Sequence, residues 1–134
     1  MALLTDIGTY LVSSVTDTSL TAGTNLFYGR LPDDPDACVA LFETGGSPPS
    51  HTLGPDAVAP MENPRIQVLV RSVAYADASS LIVDIWKQLE QVTNDTLTST
   101  LYQRVEAVQS PFPLERDTRE RLVMVCNFAV TKTV

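Results

Sequence analysis

Asn63–Val92, NPRIQVLVRSVAYADASSLIVDIWKQLEQV, changes its hydrophobic period partway along, and that change decides the fold. Over Pro64–Ser72, Ile66, Val68 and Val70 alternate with Gln67, Leu69 and Arg71, the pattern of a strand with one better-buried side. From Ala74 onward the apolar residues Ala74, Ala78, Leu81, Ile82, Ile85, Trp86, Leu89 and Val92 step by three and four, drawing one stripe along a helix. Asp84, Lys87, Gln88, Glu90 and Gln91 fall outside it. Ser72 is expected to cap this helix, and Asp77 sits in the first turn, where a carboxylate meets unpaired amides. A helix of roughly eighteen residues spans about 27 Å, enough to lie across a sheet as the middle of a core.

The rest of the chain is read outward from that unit. Leu3, Leu4, Ile7, Tyr10, Leu11 and Ser14 have helical spacing, predicting a first helix over about residues 2–15. Thr16–Asn25 is a polar connection, Leu26–Gly29 a short strand, and Pro32–Asp36 a turn. Ala37–Glu43 is an almost unbroken apolar strand, predicting cover on both faces. Downstream, Thr93–Thr100 reads as a connection and Leu101–Gln109 as an alternating strand, with Leu101, Val105 and Ala107 on one side and Tyr102, Arg104, Glu106 and Val108 on the other. Ser110–Leu114 interrupts it, and Glu115–Arg121 is a charged turn. The last strand, Leu122–Val130, directs Leu122, Met124, Cys126, Phe128 and Val130 to one face. Its other face, with Val123 and Val125, is too apolar for water, so a helix or a neighbouring subunit is expected over it. The expectation is therefore one α+β domain over residues 1–134, order α-β-β-β-α-β-β, with two helices on one face of a mainly antiparallel sheet.

Thr44–Asn63 (TGGSPPSHTLGPDAVAPMEN) holds three of the six glycines and four of the nine prolines and shows no periodicity. Flanked by strands, it is expected to be a projecting hairpin arm, and an arm that does not bury itself is suited to binding something else. His51 and Leu53 in it are candidate interface residues. So are Arg116, Arg119 and Arg121, whose alternation with Glu115, Asp117 and Glu120 reads either as a solvated turn or as an intersubunit ion-pair zone.

Composition narrows the chemistry. The chain has 134 residues, 44% hydrophobic and 19% charged, with no apolar run near the ~20 residues of a membrane span. The N-terminus lacks a basic residue before its apolar part and carries Asp6 within it, which is not the pattern of a signal peptide. A net charge of −7 repels phosphates and disfavours DNA binding. Cys38 and Cys126 lie in strand-like runs without ligand spacing, so reduced core thiols are expected in place of a disulfide or metal site. The only histidine lies in the arm, no serine occurs in a Gly-x-Ser-x-Gly context, and Gly45-Gly46 lacks the Lys of a phosphate loop. Asp33, Asp34 and Asp36 suggest calcium, but two prolines break the loop and no bidentate Glu follows, which favours a solvated turn. No catalytic, metal or cofactor site is expected.

Three linked stretches, FYGRLPDDPDACVALFETGG (residues 27–46), RIQVLVRSVAYADASSLIVDIWKQLE (65–90) and SPFPLERD (110–117), together resemble the tail terminator family of long-tailed double-stranded DNA phages, whose members are often labelled minor capsid protein. The resemblance runs from the first helix to the last strand. It implies a non-enzymatic virion component that assembles in the host cytoplasm as a homo-oligomeric, hexameric ring. Such a ring caps the head-proximal end of the tail tube, contacts the tail tube protein, stops polymerisation, and presents the surface that docks to the head-tail connector in the neck. DNA passes through the lumen without specific binding. A head-completion adaptor or stopper is the alternative within the structural class. A small ligand-binding or hydrolase domain is the alternative outside it, resting only on the α+β core.

Overall fold

The computed structural model describes residues 3–50 and 61–133. Two helices, α1 (Leu3–Ser14) and α2 (Tyr75–Glu90), pack on one face of a seven-stranded sheet. Its strands are β1 (Leu26–Tyr28), β2 (Cys38–Ser50), β3 (Met61–Ser72), β4 (Thr93–Leu97), β5 (Thr100–Ala107), β6 (Phe112–Arg116) and β7 (Leu122–Thr133). The order across the sheet is β1-β2-β3-β7-β5-β4, and β6 joins β7 beside β5. All pairings are antiparallel except β1 with β2. This is the expected α+β class, with β4 and β6 added to the expected order.

The helix-side core is built by the predicted stripes. Ile7 and Leu11 of α1, together with Ala78, Ile82, Ile85 and Leu89 of α2, meet Ile66, Val68 and Val70 of β3. Met124, Cys126, Phe128 and Val130 of β7 complete that layer. Trp86 packs partly buried at its edge, and the Tyr10 hydroxyl donates to the Gln88 carbonyl at 2.7 Å, joining the two helices. The predicted alternation of β7 is therefore the alternation of its two faces.

Four sequence expectations change. Ser72 is not the cap of α2: pairing with Leu122 holds it in β3, and Ala74, in extended conformation with no side-chain cap, precedes the helix. Thr93–Leu97 is an edge strand, because its backbone pairs with β5 although its side chains are polar. The segment after Ser110 is also a strand: β6 pairs with Leu122–Val125, and the irregularity between Pro113 and Glu115 accommodates the proline, which has no amide to donate. Finally, a register shift between Tyr102 and Arg104 turns β5 over, so Tyr102 and Val105 are both buried on the helix side and Leu101 is exposed.

The strands flanking the arm run further into it than the sequence spacing placed them. The β2–β3 ladder continues through Thr44↔Arg65, Ser47↔Asn63 and Ser50↔Met61, with register shifts between them. Strand crossing there requires Gly46, since a Cβ at that position would overlap the carbonyl oxygen of Asn63. Residues 51–60 lie outside the described residues.

Candidate assembly surfaces

The face of the sheet opposite the helices is built differently. Ala40, Leu69, Val123 and Val125 form a second buried cluster, and Leu31 and Phe42 pack against it. The cover over Val123 and Val125 is thus contributed by the connection after β1, where a helix or a second subunit was expected. Leu31 alone gives that connection little apolar area, and three arginines fasten it. Arg71, projecting from β3 on this face and 3% exposed, donates from Nη2 to the Pro35 carbonyl at 2.6 Å and from Nε to the Asp36 carbonyl at 3.2 Å. Arg121 donates from Nη1 to the Asp33 carbonyl and to Asp36 Oδ1, and from Nε to Asp117 Oδ2 at 2.7 Å. Arg119 reaches Asp34 Oδ1 at 3.3 Å from the solvent side.

Charge-assisted bonds to carbonyl oxygens satisfy a buried guanidinium while fixing the path of a loop that has little hydrophobic area of its own. Asp117 bears the opposite strain. Desolvation pushes its carboxyl up, but hydrogen bonds from the Arg121 amide, the Arg121 side chain and the Arg119 amide outweigh it and hold the group below the ordinary aspartate value.

The predicted interface residues therefore fall in three places. His51 and Leu53 lie outside the described residues. Arg116 and Arg119 are exposed; Arg116 Nη1 donates to the Glu120 carbonyl at 2.7 Å. Arg121 is buried, and its ion pairs are made within its own subunit. The Asp33–Asp36 turn, expected to be solvated, is likewise a docking point for arginines of the same chain. Sequence reading passed over Arg71, whose place in an alternating strand gave no sign of a carbonyl-binding role. The one available signal was a charged residue at a strand position flanked by buried ones.

The helix side ends in a second buried polar group. Tyr102 donates its hydroxyl to Asp6 Oδ2 at 2.9 Å, with both residues under 5% exposed. Burial and the neighbouring Asp6 carboxylate push the Tyr102 hydroxyl far above its ordinary value. Lys132, 1% exposed, pairs with Glu62 at the root of the arm. These contacts tie α1, β5, β7 and the arm together.

Both thiols are free and buried, Cys38 under the clamped connection and Cys126 in the helix-side core. Burial, reinforced by Glu90, raises Cys126 to about 11, and burial raises Cys38 against the opposing pull of Arg71 and Arg121. Neither is a thiolate at neutral pH, so neither is poised as a nucleophile. A cavity of about 320 Å³ opens beside Arg71, Ser72, Asp77 and Ser80. The Arg71 donors are occupied by the two loop carbonyls, and the titratable side chains at the cavity form no acid–base pair aimed at a common point. Among the described residues, no group of three or more His, Cys, Asp or Glu side chains gathers at metal-binding distance, and no helix is long and apolar enough to cross a membrane.

What stands out on the surface is its edges. Phe42–Ser50 of β2, beyond the end of β1, has no strand on its outer side among the described residues. The outer sides of β4 and β6 are equally open. Val108 just after β5 and Phe112 and Leu114 on β6 are large apolar side chains 48%, 38% and 52% exposed. Unpaired strand edges and exposed apolar side chains on a small α+β fold give surface suited to contacts with other chains. The model of the bacteriophage tail terminator protein family matches residues 4–134, and the chain belongs to that family. No curated relative matches it.

Proposed function

We propose that this chain caps the head-proximal end of the phage tail tube as a hexameric ring, stops tube polymerisation and provides the joining surface for the head-tail connector. The observation carrying this reading is the family match over nearly the whole chain, 4–134. The two sides of the sheet support it. A ring is closed by heterologous contacts, in which each subunit offers two different surfaces, and here one side carries the arm while the other carries β4, β6 and the exposed Phe112 and Leu114. The net charge of −7 suits a ring through which DNA passes without being held. On this reading, exposed Arg116 and Arg119 meet a neighbouring protein at the β6 end of the subunit.

Gold-labelled antibody against the chain, viewed on intact phage particles by electron microscopy, tests the location. A single cluster at the head-tail junction, together with overlong tails in particles lacking the chain, is the expected result. Junction labelling with tails of normal length points to a head-completion adaptor or stopper instead. Label absent from the particle overturns the structural reading altogether.

A further inference from the structure

We propose that residues 30–37, the connection from β1 to β2, form a strap that opens as a unit while the rest of the subunit stays folded, with the arginines that cross it acting as its clasp. The strap has no ladder of its own to hold it. Among the described residues, no main-chain group of 30–37 is hydrogen-bonded to another main-chain group. Leu31 is the one apolar side chain of the strap that packs against the cluster of Ala40, Leu69, Val123 and Val125, and residues 33–37 are all exposed. What fixes the strap comes from elsewhere in the chain. Arg71 of β3 holds the Pro35 and Asp36 carbonyls, Arg121 holds the Asp33 carbonyl and the Asp36 carboxylate, and Arg119 reaches the Asp34 carboxylate. Charge-assisted bonds of this kind are strong while made, but they are few and directed, so they let go together.

Both ends of the strap suit such a movement. Upstream, the last main-chain tie is the Gly29 amide, which donates to the Leu41 carbonyl at 2.7 Å, and Gly29 has φ +75°, a left-handed conformation that glycine enters and leaves without steric cost. Downstream, the ladder resumes at Cys38, opposite Arg71. Beside Ala37 lies the cavity of about 320 Å³ that Arg71 also lines, so this end is not packed on every side. The sheet beneath does not depend on the strap, because Ala40 pairs directly with Leu69 and Leu69 with Val125. Opening therefore breaks the clasp and one apolar contact, and no ladder. It uncovers the second cluster and Cys38, 2% exposed when the strap is closed, and leaves Cys126 shut in the helix-side core. Openings that break so few buried contacts lie well below global unfolding in free energy.

Native-state thiol labelling of the full chain, with an aromatic disulfide reagent over a series of urea concentrations, tests the strap. Cys38 is expected to react at least ~10-fold faster than Cys126 in buffer, at a rate that changes little with urea below the unfolding transition, because opening exposes little surface. Cys126 is expected to accelerate steeply with urea throughout. Two variants separate strap opening from unfolding, and circular dichroism confirms that they fold. Arg121→Met, which removes two strap contacts, is expected to speed Cys38 roughly 10-fold. Ile82→Val, a mild truncation in the helix-side core, is expected to speed Cys126 about 5-fold and leave Cys38 unchanged, since the core stays closed when the strap opens. Equal urea slopes for the two thiols, or equal acceleration of both by Ile82→Val, would show that Cys38 is reached only by global unfolding and overturn the proposal. A Cys38 rate unmoved by Arg121→Met would overturn the clasp.

Discussion

The two faces of the sheet are covered by different physics. On the helix side, α1 and α2 bury apolar stripes against β3, β5 and β7, and the contact is non-directional, extensive and closed at one end by Tyr102, Asp6, Lys132 and Glu62. On the opposite side a short connection lies over Val123 and Val125 with Leu31 as its apolar contact, held by Arg71 and Arg121 through backbone carbonyls. The first face resists change by volume, the second by a few directed bonds. A subunit built this way has one rigid side and one whose cover can be loosened separately.

The largest effect that sharpens this contrast is expected from Phe128→Ala. Phe128 is fully buried in the helix-side layer, and truncation there costs about 3–5 kcal/mol, read as a lower urea midpoint for the whole fold. Loss confined to one segment, detected by hydrogen exchange, would break the picture of a single cooperative layer. Next comes Tyr102→Phe, which leaves the buried Asp6 carboxylate without its hydroxyl donor and costs about 1–3 kcal/mol. Because the folded hydroxyl titrates above its unfolded value of about 10, its contribution is complete below that pH and is lost as pH rises above it. Tyr102→Phe should therefore flatten the alkaline limb of the stability profile.

On the other face, Arg71→Met keeps the side-chain stem and removes both carbonyl bonds, with an expected cost of about 1 kcal/mol. Its sharper readout is thiol labelling. Cys38 should react faster while Cys126 stays as protected as before; equal acceleration of both would mean the two faces are not independent. The smallest effect is assigned to Asp117→Asn. With its folded value depressed, Asp117 contributes stability above the ordinary aspartate value of about 3.9, and that contribution is lost as pH falls through the lower folded one. The variant should melt with less dependence on acid pH than the parent, and an unchanged acid limb would remove Asp117 from the clamp.

The same contrast explains what could be read from the chain. The face held by area was legible: the stripe Ala78–Ile82–Ile85–Leu89 and the alternation Met124–Cys126–Phe128–Val130 are periodic, and period survives without knowledge of neighbours. The face held by bonds was not, because Arg71 reaches Pro35 across 36 positions and nothing local marks the pairing. Arg121 was read as an interface or solvated-turn arginine for the same reason. The errors on strands have local causes. Thr93–Leu97 is a polar edge strand whose order comes from a backbone ladder, and the register shift after Tyr102 exchanges inside and outside within one strand. The interface residues proposed in the arm, His51 and Leu53, fall outside the described residues.

Burial of Arg71, Arg121 and Lys132 inside the subunit removes three of the nine basic side chains from the surface. On the ring reading, neighbouring copies, each carrying −7, meet with few cations to bridge them, and their electrostatics are on balance repulsive. Added salt screens that repulsion, over a Debye length of about 8 Å at physiological ionic strength. Self-association should accordingly tighten with ionic strength, the reverse of an assembly glued by surface ion pairs, and concentrated electrolyte becomes a tool for gathering these subunits.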